Sequence, residues 1–191
     1  MRSWCVRISV LFAIALSGAD APAADPYVNF VPWKVLQPGD EPLRAPLVLY
    51  WVPSSREELR RSDLLTSRTL LNASTQCVAM QVIRPDDDAM IEHLGAGTLP
   101  VAILTTDDEK ELARVTRDDG DLRVSSVEQM VRDALDAREG TAETLLDEAQ
   151  HKLDEGDADG ALVLYEKVWE MRCSCPRQAN EAKRAMKKLK K

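Results

Sequence analysis

Apolar residues change their spacing several times along this chain, and the changes divide it into elements. Pro46-Leu-Val-Leu-Tyr-Trp-Val52 is an apolar run of strand length with β-branched and aromatic members, and Pro53 stops it. A strand apolar on both faces belongs in the middle of a sheet covered on both sides. From Ser55 the spacing turns helical: Leu59, Leu64, Leu65, Leu70 and Leu71 recur between charges, with Ser55 as N-cap and an acidic first turn. Cys77–Ile83 is a second apolar strand. Pro85 to Asp88 ends it and caps a short helix containing Met90, Ile91 and Leu94, which Gly95 and Gly97 close. Leu99–Leu104 and Leu112–Thr116 are two further strands, near enough across the Asp107–Lys110 turn to form an antiparallel hairpin. Val124–Ala137 is a helix with Val127, Val131, Ala134 and Leu135 on one face, opened by Ser125 or Ser126 with Glu128. The order β-α-β-α-β-β-α predicts an α/β domain over residues 46–139, a mixed sheet with helices on both faces. Residues 24–45, rich in proline, form an extended lead-in with a short strand around Val28–Val35.

Beyond Gly140 the pattern is helical throughout, and residues 141–191 form a small all-α hairpin. Ala142–Glu155 carries Leu145, Leu146, Ala149 and Leu153, Gly156-Asp157 is the turn, and Ala158–Met171 returns. Its apolar stripe, with Leu162, Tyr165 and Trp169, is a candidate interaction surface that must pack on the body, on another copy or on a partner. Pro176 starts a basic capping helix with Ala179, Ala182, Met186 and Leu189 on one side.

The first 23 residues have a different character. Arg2 and Arg7 precede an apolar run from Ile8 to Leu16, and small residues follow at Ala19, Ala21, Ala23 and Ala24. These are the three parts of a cleavable secretory signal, with cleavage near Ala21 to Ala24. The run is about half the 20 or so residues that cross a bilayer. A periplasmic or secreted protein with no stable membrane insertion is therefore expected.

Cleavage would leave a net charge of about -8, unevenly spread: residues 176–191 sum to +6, and residues 24–175 to about -14. An acidic body argues against a nucleic-acid partner, because phosphate neutralisation drives that binding. Cleavage also discards Cys5 and leaves Cys77, Cys173 and Cys175. An odd number leaves one thiol free or paired to another chain, so a homodimer stays open.

The element order and several signatures over roughly residues 44–138 resemble the thioredoxin family. The strand ending Leu49-Tyr50-Trp51 looks like the family's central strand, and Thr98-Leu99-Pro100 resembles the segment around its cis-proline. The resemblance implies a peptide-binding groove near Trp51, Leu99 and Pro100, with Leu99-Pro100 in cis. Thioredoxins place Cys-x-x-Cys at the following helix N-terminus, where the dipole lowers the first thiol's pKa. Here that stretch reads Val52-Pro53-Ser54-Ser55-Arg56-Glu57-Glu58, with no cysteine. The hairpin after Gly140 resembles a tetratricopeptide-like repeat through Ala149, Gly156-Asp157, Ala161 and Tyr165. Such units stabilise by stacking on neighbours, and one alone leaves a face to cover.

Cys173-Ser174-Cys175 is the remaining candidate for chemistry. Two thiolates are too few for a metal site, and none is expected. A redox-active pair is one reading; a structural disulfide from Cys77 to one of the two is the reading an oxidising compartment favours. His93 and His151 lie among charges as surface residues, Asp86-Asp87-Asp88 lacks the ligand alternation of a calcium loop, and Ser54-Ser55 lacks a nucleophile elbow. The sequence thus points to an exported non-redox thioredoxin-like protein without a cofactor, acting as a protein-binding or scaffolding module for a protein or peptide partner. The alternative is a thiol–disulfide oxidoreductase using Cys173 and Cys175 as catalytic residues.

Overall fold

The computed structural model describes residues 30–37, 39–117 and 122–189. The leader expected over residues 1–23 lies outside them, as does the start of the strand expected from Val28. Within the described residues, five strands form one mixed sheet: β1 (Lys34–Val35), β2 (Leu47–Val52), β3 (Val78–Val82), β4 (Val101–Thr106) and β5 (Glu111–Thr116). Their order is β1-β3-β2-β4-β5, so the fully buried β2 is central. β3 runs parallel to β1 and β2, whereas β4 is antiparallel to both β2 and β5.

Alternation along β2 feeds two cores. Leu47, Leu49 and Trp51 point to the face covered by α2 (Arg68–Ser74) and α4 (Val124–Asp154), where Leu70, Val127 and Val131 meet them. Val48, Tyr50 and Val52 point to the other face, covered by Met90, Ile91 and Leu94 in and just after α3 (Asp88–His93). The expected α/β sheet with helices on both faces is present.

The leucine-rich segment after Ser55 is not one helix. It divides into α1 (Arg56–Arg61), a 3₁₀ turn (Asp63–Leu65) and α2. Each piece starts at a serine whose hydroxyl accepts a backbone N–H: Ser55 from Glu58 at 3.1 Å, Ser62 from Leu64 at 3.3 Å, Ser67 from Leu70 at 3.1 Å. Serine side chains compete with the helix for these donors, so the chain restarts at each one. The cap expected from the Pro85–Asp88 stretch forms, Asp87 accepting from Met90 N at 3.3 Å, and in the expected Gly156-Asp157 turn Asp157 also caps α5, accepting from Gly160 N at 2.9 Å.

Two helical expectations need correction. Ser125 and Ser126 do not cap α4, which begins at Val124 after Arg123 without a side-chain cap. Nor does Gly140 divide two helices, because α4 continues through it for 31 residues. A glycine in a helix costs about 1 kcal/mol against alanine, less than the packing of Val131 and Ala142 on either side holds in place. The far half of α4 packs with α5 (Ala158–Glu170) and α6 (Pro176–Leu189) around Ala142, Ala149, Ala161, Val168 and Ala182. Alanines at the helix crossings let the backbones approach closely, and Tyr165 fills the remaining space.

Candidate functional site

Strand β2 delivers the chain to the N-terminus of α1, the end of the fold where unpaired backbone N–H groups gather. Glu58 turns back over that end. Its Oε2 accepts from both the amide and the hydroxyl of Ser54 at 2.7 Å, while Ser55 Oγ caps Glu58 N. Arg56 adds a bridge to Asp86 at 3.2 Å. Asp86 also pairs with Arg84, and hydrogen bonding from that guanidinium holds its carboxyl down at about 2. The helix start is thus closed by the chain's own carboxylate and hydroxyls.

The Leu99-Pro100 peptide bond is cis, and Pro100 is buried at the start of β4. Trp51 does not share a surface with Leu99. The indole is 0% exposed and lies on the α2/α4 face, edge-on to Trp33 at 5.5 Å, whereas Leu99 packs on the α3 face. Trp51 and Val52 point to opposite sides of the sheet by period-two alternation, and Leu99 packs on the side of Val52. The three residues expected to line one groove therefore do not line it together.

The cysteines settle into a staple and a leftover. Cys77 is joined to Cys173 with Cα atoms 5.7 Å apart, and Cys175 is free and 2% exposed in the helical core. This is the pairing of Cys77 with one member of the Cys-x-Cys anticipated above. It ties the turn before β3 to the α5–α6 loop, where Arg138 Nε also donates to Ser174 Oγ at 3.1 Å. Cys175 is thus the one free thiol among the described residues, and it is buried away from solvent.

The interaction stripe is divided as well. Tyr165 is inside the helical core, and burial raises its pKa. Leu162 is half-buried outside that cluster. Trp169, also half-buried, faces Lys183 and Arg172, whose charged ends lie 4.8 and 5.5 Å from its ring.

A surface feature that the sequence did not single out is a groove of about 730 Å³ between α4 and the edge strand β5. Met130, Ala134 and Ala137 form its helical wall, and Leu112, 45% exposed, stands on the strand side. Arg114 at its rim is held by the carbonyls of Gly95 (2.7 Å) and Leu94 (3.0 Å) and by Glu111, which each keep their charge through the other. Only the exposed alternation of Glu111–Thr116 hinted at an edge strand with one free side.

The histidines are exposed, His93 beside Glu109 at 3.1 Å and His151 beside Glu155 at 3.7 Å. Among the described residues no three His, Cys, Asp or Glu converge to hold a metal, and no helix is long and apolar enough to cross a membrane. Set against known proteins, the sequence matches no family model and none of the curated proteins.

Proposed function

We propose that the chain is an exported, non-redox protein of thioredoxin-like fold that acts as a protein-binding scaffold. The strand order β1-β3-β2-β4-β5 and the cis Leu99-Pro100 bond at the head of β4 support the fold reading. The leader-like first 23 residues and an intrachain disulfide support export to an oxidising compartment. The observation that carries the non-redox reading is the start of α1, where Ser54, Ser55 and Glu58 hydrogen-bond one another in the place a reactive dithiol would need.

The groove along β5 is the surface best suited to a partner. A strand edge offers backbone donors and acceptors to an extended peptide, while the wall of α4 gives its side chains apolar contact. Selection of peptides on the purified mature chain, followed by titration against Ala137→Arg and Val163→Lys, tests this. Selected peptides should lose most of their affinity for Ala137→Arg, whose longer side chain fills the groove, and keep it for Val163→Lys on the exposed side of α5. Peptides insensitive to Ala137→Arg would overturn the assignment.

A further inference from the structure

On the α3 face of the sheet, a cavity of about 400 Å³ opens between the lead-in segment Glu41–Arg44 and the β4–β5 turn. Glu41, Asp107, Asp108 and Glu109 stand around it, with Arg44 the one cation among the lining residues. Glu109 has a left-handed backbone, φ 61°, uncommon outside glycine. Non-glycine residues held in that region gather at ligand sites.

The buried side of the cavity is short of hydrogen-bond partners. Tyr50 lines it at 3% exposure, and its hydroxyl has no hydrogen bond among the described residues. Deeper on this face, behind the residues that line the cavity, Gln81 Oε1 and Thr105 Oγ1 are buried without a partner. Register sets Gln81 beside Tyr50 and Thr105 beside Val48, which also lines the cavity. Gln81 directs its amide nitrogen to Leu43 O at 3.0 Å, and its carbonyl oxygen is the atom left without a partner. Burial and the nearby Glu109 raise the Tyr50 pKa, so the phenol stays neutral.

The unpaired Tyr50 hydroxyl beside a ring of carboxylates fits a ligand that is cationic and carries N–H donors. We propose that this cavity binds an alkylammonium group, its N–H donors directed to Tyr50 Oη and the Asp107–Glu109 carboxylates and its methylenes against the tyrosine ring. A bare metal ion fits less well, because it needs convergent ligands that the described residues do not form. An ammonium needs only three acceptors and an apolar or aromatic wall for its stem.

The test is a ¹H–¹⁵N NMR titration of the mature chain with 1,5-diaminopentane and, separately, with acetyl-Gly-Lys-Gly-amide, at about 150 mM salt to screen diffuse attraction. Saturable shifts should be confined to residues 41–44, 48–50 and 105–110. Tyr50→Phe and Asp107→Asn should each weaken binding by about fivefold or more, the size of effect one lost hydrogen bond to a charged group brings. Glu166→Gln on α5 should leave it unchanged. Tighter binding of the diamine assigns a free amine; tighter binding of the peptide assigns a lysine side chain. Non-saturating shifts spread over the acidic surface, or both cavity variants binding like the parent, overturn the site.

Discussion

Cys77 and Cys173 are separated by 96 residues of chain, yet their Cα atoms lie 5.7 Å apart across a disulfide. Cys77 occupies the left-handed turn before β3, φ 60°, and Cys173 lies in the loop between α5 and α6. The bond therefore adds a second link between sheet and helical hairpin, beside the α4 connection, where Arg138 Nε donates to Ser174 Oγ. A loop of about 100 residues closed this way restricts the unfolded chain strongly, and disulfides typically contribute about 2–4 kcal/mol. Cys77→Ser combined with Cys173→Ser should lower unfolding stability by that amount in urea titrations. A double mutant as stable as the parent would show that α4 alone holds the two parts together.

Cys175, buried at the foot of α6, sets an expectation for thiol chemistry. The folded chain without residues 1–23 should show one thiol, slow to react with a disulfide reagent and fast once denatured, because burial restricts access. Insulin reduction should not exceed background. Two fast-reacting thiols in the folded protein, with reductase activity lost in Cys175→Ser, would restore the oxidoreductase reading.

Arg84 and Asp86 make a pH-dependent contact between the end of β3 and the approach to α3. The Asp86 carboxyl is depressed to about 2, first by its hydrogen bond from Arg84. A depressed carboxylate adds stability that is fully present above its unfolded value and is lost as pH falls through its folded one. That contribution should hold at neutral pH and fade between about pH 4 and pH 2. Carboxyl ¹³C shifts should show an Asp86 midpoint near 2, and Arg84→Ala should return it toward the ordinary aspartate range.

Gly140 lies inside α4, where a Cβ would meet nothing within 4 Å. Gly140→Ala should stabilise by about 0.5–1 kcal/mol through helix propensity alone. For a chain of this size that corresponds to a rise in Tm of roughly 2–4 °C. A fall in Tm would mean that the position needs glycine for a conformation other than the continuous helix.

Much of the architecture could be read from residue pattern because the governing interactions are local. The six apolar residues of β2 require burial on both faces, and the Asp87 and Asp157 caps act within a single turn. The broken helix after Ser55 was harder to read: its leucines keep helical spacing, and only the competition of Ser62 and Ser67 for backbone donors interrupts it. Trp51 shows a different difficulty. Alternation separates its side of the sheet from that of Val52, but which side also holds Leu99 depends on where α3 and α4 cross, a long-range matter. The choice of Cys173 over Cys175 depends on how the α5–α6 loop is oriented once helices pack. Tyr50 meets the Asp107–Glu109 turn only when β2 and β4 are in register.

Helix α4 gives Val127, Met130 and Val131 to one core and Ala142 and Ala149 to another. At 1.5 Å per residue its 31 residues make a spar about 46 Å long. With the Cys77–Cys173 bond it closes a truss: force applied to α5 or α6 reaches the sheet along two members, the helix and the disulfide. Twisting the hairpin against the sheet would require bending the spar or stretching the brace. A chain braced in this way fixes the distance and angle between its sheet and its helical hairpin, as a bracket does and a tether cannot.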